Sequence, residues 1–90
     1  MSNCEVITKI VNRLGLHARP AMMFVDVANT FKADIKVRKE DTEVNGKSIM
    51  EMMMLAAGQG SELVISATGD DAAAACAKLK ELVDTGFDEE

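Results

Sequence analysis

The chain has 90 residues, enough for one small domain with a modest hydrophobic core but not for a multidomain enzyme. Its net charge of −5 and its lack of Trp and Tyr argue against nucleic acid as a partner, since phosphates attract clustered cations and bases stack on aromatic rings. Cys4 and Cys76 fit neither a disulfide framework nor a metal site, so we expect a cytoplasmic protein without a metal or other cofactor. Neither a signal peptide nor a membrane span is expected.

Hydrophobic periodicity predicts the elements in chain order. Alternating and β-branched residues predict strands over residues 4–11, 33–40, 43–45 and 62–68. Apolar residues at helical spacing predict one helix that begins near His17 or Ala18, a short second helix that runs to about Ala57, and a third helix capped by Asp70 or Asp71. The order is βαββαβα.

This order predicts the architecture. Four strands in a mainly antiparallel sheet can cover their apolar face with three helices, which is an open-faced sandwich of the α+β class. No repeat or linker interrupts residues 1–90, so we expect a single domain. The acidic residues that end the chain are interpreted as a solvated tail, which is the usual meaning of such a run.

The only histidine, His17, lies between the first strand and the first helix. At a helix N-terminus the free amides of Ala18 and Arg19 and the positive end of the helix dipole favour an anion, and the Arg19 guanidinium suits phosphate oxygens. The dipole also disfavours positive charge on the ring, which leaves a neutral imidazole able to accept a phosphoryl group. The alternative, equally weighted on position alone, is that His17 only caps the helix and Arg19 only pairs with a carboxylate.

Two further features stand near the second helix. Ser48 and Glu51 match the S-x-x-E capping box, in which each side chain satisfies an amide of the first turn. Four methionines follow on a helix too short to bury them all. We assign Ile49, Met52 and Met53 to the core and expect Met50 and Met54 to form an outward ridge beside Ser48. The residues counted as a docking surface for partners are Leu16, Met22, Ile49, Met50 and Met54.

The segment from Gly15 to Ala21, Gly-Leu-His-Ala-Arg-Pro-Ala, resembles the active-site motif of the HPr family, the histidine phosphocarriers of the bacterial phosphotransferase system. Residues 46–50, Gly-Lys-Ser-Ile-Met, are similar to the regulatory-serine segment of the same family. The resemblance implies that His17 accepts a phosphoryl group at Nδ1 from phosphorylated Enzyme I and passes it to EIIA-type proteins, with Arg19 positioning the phosphate. It also implies that Ser48 is a substrate for an HPr kinase/phosphorylase where one exists.

Alternatives stay open at this point. Residues 12–15 and 85–90 look like the nitrogen-related branch of the family, NPr, whereas residues 46–50 look like the sugar-pathway branch. A purely regulatory binding module that acts through Ser48 is a second class of function, and a small ligand-binding or acylphosphatase-like domain is a third. Because a carrier exposes its histidine to two partners in turn, we expect a monomer.

Overall fold

The computed structural model describes residues 2–89 and has the predicted βαββαβα order. Its elements are β1 (Asn3–Lys9), α1 (Ala18–Ala28), β2 (Asp34–Lys39), β3 (Thr42–Asn45), α2 (Ile49–Met54), β4 (Glu62–Thr68) and α3 (Ala72–Asp84). One 3₁₀ turn, Gly86–Asp88, follows α3. The predicted α2 was three residues too long, and β3 begins one residue earlier than predicted because the turn that precedes it needs only two residues.

The four strands form one sheet in the order β1-β4-β2-β3, in which every neighbouring pair is antiparallel. Alternate side chains on β4 are buried, as are Ile35 and Val37 on β2, because successive residues of a strand point to opposite faces of the sheet. The buried face of the sheet packs under the helices, so the α+β open-faced sandwich is confirmed.

The core lies between this face and the apolar sides of α1 and α3. Phe24 of α1, Leu79 of α3 and Ile65 of β4 are completely buried. Helical spacing predicted Phe24 and Leu79, since residues three and four apart line one side of a helix, and strand alternation predicted Ile65. Leu82, predicted on the same side of α3, is only partly buried and packs at the edge of the core.

Asp71 stands at the N-cap position of α3 but does not cap it. Its carboxylate accepts hydrogen bonds from the backbone N–H groups of Lys32 and Ala33, each at 2.9 Å. These bonds hold the pKa of Asp71 below its ordinary value of 3.8. The predicted capping role is therefore wrong, because the carboxylate instead fastens the loop between α1 and β2 to the start of α3.

Only half of the predicted capping box forms at α2. The Ser48 hydroxyl accepts a hydrogen bond from the Glu51 N–H at 3.3 Å. The Glu51 carboxylate accepts from the Asn45 N–H at 3.0 Å rather than from Ser48. The Ser48 N–H already donates to the Asn45 carbonyl oxygen at 3.1 Å, so the Glu51 carboxylate is available to accept from the Asn45 N–H instead. Ser48 is therefore an N-cap residue, as predicted.

Two methionines of α2 offer a matched test of the core. Met52 is completely buried and Met50 is 78% exposed, although both lie on the same helix. We expect Met52→Ala to lower the free energy of unfolding by about 2–5 kcal/mol, because it leaves a cavity. Met50→Ala, the control, is expected to change it by less than about 0.5 kcal/mol. Urea denaturation measures both, and equal effects would contradict this assignment of the core.

Candidate functional site

The loop before α1 is fastened by its backbone. The Leu16 N–H donates to the Ala57 carbonyl oxygen at 2.8 Å, just beyond the end of α2. Gly15 has a φ of +72°, and a Cβ at this position would lie 2.6 Å from the same oxygen. Only glycine allows both the left-handed backbone and the close approach. The loop therefore holds His17 at a fixed place beside the segment that joins α2 to β4.

His17 occupies the N-cap position of α1, with extended backbone angles, but its side chain makes no capping hydrogen bond. The side chain is 35% exposed. Ala18 and Arg19 follow as the first helical residues, both exposed, and their N–H groups have no partner within the helix. The alternative in which His17 serves only as a cap is therefore excluded. The ring stands at the positive end of a helix of 11 residues.

The ring instead contacts the end of the chain. His17 Nε2 lies 3.0 Å from the Glu89 carboxylate oxygen Oε1. The same oxygen accepts a hydrogen bond from the Asn12 side-chain amide at 3.1 Å, and that amide also donates to the Gly15 carbonyl oxygen at 2.7 Å. The hydrogen bond with His17 holds the pKa of Glu89 below its ordinary value of 4.5, and the Asn12 amide and the charge of Arg19 act in the same direction.

The interpretation of residues 87–90 as a solvated tail was wrong for Phe87 and Glu89, whereas Asp88 is exposed, and Glu90 lies outside the described residues. Phe87 is buried, and Glu89 reaches the site through the turn that follows α3. Sequence reasoning missed both contacts because a short run of acidic residues carries no periodicity. The one available signal was Phe87, one of only three aromatic residues in the chain.

Arg19 is exposed and forms no ion pair with any residue from 2 to 89. Its charge nevertheless acts on Glu89, whose carboxylate it helps to keep ionised. The alternative in which Arg19 serves only as a carboxylate partner has no support among the described ion pairs. Its guanidinium is free to meet an anion at the N-terminus of α1.

The structure exposes most of the predicted docking residues. Met22 is 55% exposed, and α2 presents four apolar side chains outward: Ile49, Met50, Met53 and Met54. We call these four the α2 surface. The assignment of Ile49 and Met53 to the core was wrong, because a helix of six residues that rests on Met52 leaves its remaining side chains in solvent.

Leu16 is the predicted docking residue that the structure contradicts. It is only 6% exposed and belongs to the hydrophobic core. The hydrogen bond from the Leu16 N–H to the Ala57 carbonyl oxygen holds Leu16 in the core. Leu16 therefore helps to fix the position of His17. Leu14, two residues earlier, is 69% exposed and was not among the predicted docking residues.

Ser48 lies at the opposite end of α1 from His17. The start of α1 meets the end of α2 through Leu16 and Ala57, whereas the Asn29 amide at the end of α1 contacts the Lys47 carbonyl oxygen, 3.4 Å away, next to Ser48. The two helices therefore run antiparallel. An α-helix of 11 residues is about 16 Å long, so Ser48 stands roughly that far from the imidazole, with the α2 surface between them.

Comparison with known proteins agrees with this arrangement. Residues 5–85 match the family model described as "PTS HPr component phosphorylation site". The chain belongs to the HPr family. It shares 44% identity over 81 residues with the phosphocarrier protein HPr of Neisseria meningitidis, covering 90% of this chain and 91% of the relative. Identity to the phosphocarrier protein NPr of Proteus mirabilis is 43% over 82 residues, covering 90% and 91%.

Solved structures of the HPr family share the fold. The crystal structure of HPr from Thermoanaerobacter tengcongensis superposes with a TM-score of 0.93 at 45% identity, covering 97% of this chain and 98% of the other. A crystal structure of an HPr dimer from the same organism has a TM-score of 0.76 at 44% identity, covering 91% and 94%. These relatives show that the chain is a phosphocarrier of the phosphotransferase system.

Within residues 2–89, no helix is long and apolar enough to cross a membrane. Among the same residues, no three His, Cys, Asp or Glu side chains are grouped so as to hold a metal ion.

The contact between Glu89 and His17 predicts a dependence of stability on pH. Because the pKa of Glu89 is lowered on folding, its contribution is present above its ordinary value of 4.5 and is lost as the pH falls through the lower value of the folded state. We expect Glu89→Gln to be less stable than the wild type at pH 7 and the difference to shrink below about pH 4.5.

Urea denaturation from pH 7 to pH 3 measures this difference. Asp71 and Asp84 also have lowered pKa values, but both are present in the two proteins and cancel in the comparison. Asp88→Asn is the control, since Asp88 is exposed and lies next to Glu89. A stability difference between Glu89→Gln and the wild type that stays constant over this range would contradict the assignment.

Proposed function

We propose that this HPr-family protein carries a phosphoryl group on His17, which it accepts from phosphorylated Enzyme I and passes to an EIIA-type protein. The observation that supports the proposal best is the position of the imidazole. It stands partly exposed at the N-terminus of α1, beside the exposed Ala18 and Arg19. Helix N-termini favour anions, and an exposed ring can be reached by two partners in turn.

Each residue of the site has a proposed role. The His17 ring nitrogen is the nucleophile, the amides of Ala18 and Arg19 hydrogen-bond the phosphoryl oxygens, and the Arg19 guanidinium neutralises their charge. The protein completes no chemical turnover by itself, because each transfer needs a partner that supplies or removes the phosphoryl group. The proposal places it in the cytoplasm as a monomer, consistent with two free cysteines in the described structure.

A labelling experiment tests the proposed carrier. The protein is incubated with Enzyme I and phosphoenolpyruvate that carries a labelled phosphoryl group. We expect an acid-labile, base-stable label on the wild type and none on His17→Ala, because the chain has only one histidine. Arg19→Ala is expected to accept the label at least about tenfold more slowly, because it loses a charged phosphate contact.

Ser48→Ala is the control in this experiment, since Ser48 lies at the far end of α1 and its loss is expected to leave the label in place. Label that persists in His17→Ala would overturn the proposal. Offering the labelled protein an EIIA protein of the sugar branch and one of the nitrogen branch distinguishes the two pathways. The nitrogen branch is a second candidate because Asn12 and Glu89, which lie in its two matching segments, meet at the site.

The α2 surface is the proposed docking site for both partners, together with Met22. Methionine side chains adapt to differently shaped surfaces, which suits a carrier that binds two proteins. Ser48 stands at the beginning of this helix, so phosphorylation by an HPr kinase/phosphorylase would add about two negative charges to the docking site. The proposed regulation therefore acts on docking rather than on the imidazole.

Charge on the α2 surface tests docking and regulation together. We expect Met50→Asp with Met54→Asp to raise KM for both partners by about tenfold, because burying an unpaired carboxylate in an interface is unfavourable. Ser48→Asp is expected to act in the same direction while keeping the helix cap, since Asp is a good N-cap residue. Phosphotransfer kinetics with each partner measure the effect. Lys78→Asp on α3 is the control for added negative charge, and rates equal to those of the wild type in all variants would contradict docking here.

A further inference from the structure

The contact between His17 and Glu89 has no role in the carrier proposed above. The Glu89 carboxylate oxygen lies 3.0 Å from Nε2 of the ring that is proposed to react. The Glu89 side chain is only 16% exposed, although it stands near the end of the chain. A carboxylate held this close to a reacting imidazole affects which ring nitrogen carries the proton.

The three residues before Glu89 have an unusual backbone conformation. Gly86, Phe87 and Asp88 have φ values of 68°, 56° and 59°, so three consecutive residues adopt the left-handed conformation. This conformation is unfavourable for Phe and Asp and persists only where surrounding contacts impose it. Phe87, 1% exposed in the core, supplies such a contact. The Glu89 N–H then donates to the Gly86 carbonyl oxygen at 2.9 Å, which fixes the last described residue.

Asn12 holds the carboxylate from the other side. It is 2% exposed, and its side-chain amide donates to both the Gly15 carbonyl oxygen and Glu89 Oε1. One buried amide thus joins the loop that carries His17 to the residue that contacts the ring. Asn12, Glu89 and His17 form a chain of hydrogen bonds in which Asn12 and His17 lie on the segment before α1 and Glu89, between them, lies on the segment after α3.

The direction of the last bond follows from the chemistry of its partners. An ionised carboxylate can only accept hydrogen bonds, so Nε2 of His17 is the donor. A neutral imidazole has one N–H, and its lone pair is therefore at Nδ1. We propose that Glu89 and Asn12 are positioning residues for phosphoryl transfer, which keep the proton on Nε2 and the nucleophilic lone pair on Nδ1. This inference rests on the proposed carrier function of His17.

The transfer step then balances without any further reactant. The Nδ1 lone pair forms the new N–P bond while the N–P bond of a phosphohistidine on the donor protein breaks, and that electron pair returns to the donor ring. The ring of His17 keeps its Nε2 proton and so gains a positive charge, which lies 3.0 Å from the Glu89 carboxylate. Glu89 stabilises the phosphorylated ring in the same position, and the reverse movement of electrons delivers the group to the acceptor.

Nuclear magnetic resonance of the unphosphorylated protein tests the positioning directly. We expect the Nε2–H proton of His17 to be visible in water in the wild type, because a hydrogen-bonded and partly buried N–H exchanges slowly. Glu89→Ala is expected to lose this signal. Asp88→Asn, the matched control, removes the same charge from the neighbouring residue and tolerates its left-handed backbone, so it should keep the signal. A signal that survives in Glu89→Ala would overturn the inference.

Transfer kinetics supply the second readout. We expect Glu89→Ala to lower kcat for phosphoryl acceptance from Enzyme I by about tenfold with little change in KM, because it removes a charge-assisted hydrogen bond to the reacting ring. Asp88→Asn should match the wild type. Unchanged amide resonances in α1 confirm that the fold is intact. A rise in KM alone would contradict a positioning role and indicate a docking role.

The two proposals fail in different ways. If His17 is labelled in the wild type but Glu89→Ala reacts as fast as Asp88→Asn, the positioning inference is overturned and the carrier stands. If no label appears on His17 in any protein, the carrier proposal fails, and with it the role of Glu89 in transfer. The resonance of the Nε2–H proton still reports the contact in that case, because it needs no partner protein.

Discussion

The backbone hydrogen bond from the Leu16 N–H to the Ala57 carbonyl oxygen is the contact on which the site depends. It places the residue before His17 in the core and so makes the imidazole, rather than the leucine, the group that faces outward. The bond forms because Gly15 takes a positive φ and has no Cβ to strike the same carbonyl. The loop that carries His17 is thus held by the elements that it contacts.

The same contact sets the positions of His17 and Ser48 relative to each other. Because the start of α1 is fastened to the end of α2, the two helices run antiparallel, and Ser48 is carried to the far end of the pair. The α2 surface fills the distance between them with exposed apolar side chains. Under the proposed docking, a partner that reaches His17 while it rests on this surface would cover Ser48 as well. In the proposed regulation, charge at Ser48 would therefore weaken docking without any change in the imidazole.

The sequence predicted the features that depend on local periodicity and failed where distant segments meet. Alternation placed β4 at its observed limits because one face of that strand is buried and the other is not. The junction of strand and helix identified His17 because a helix N-terminus is recognisable from a few residues. Leu16 was misassigned as a docking residue, since nothing in its neighbours shows that its amide bonds to a loop 41 positions later.

The second failure concerns charge. Residues 1–45 carry a net charge of +1 and residues 46–90 carry −6, so the order of residues along the chain places the acidic excess away from His17. The fold brings one acidic residue of the second half, Glu89, into contact with His17, because Phe87 is buried in the core two residues before it. The charge around His17 therefore depends on Glu89, 70 positions after Arg19 in the chain, and the charge of Arg19 acts on that carboxylate without forming an ion pair. A phosphoryl group on Nδ1 of His17, at the N-terminus of α1, would face the Arg19 guanidinium. The Glu89 carboxylate would stay at Nε2, the other nitrogen of the ring. That division keeps the negative charge of Glu89 from opposing the phosphate, and it requires the two nitrogens of one imidazole to face different surroundings.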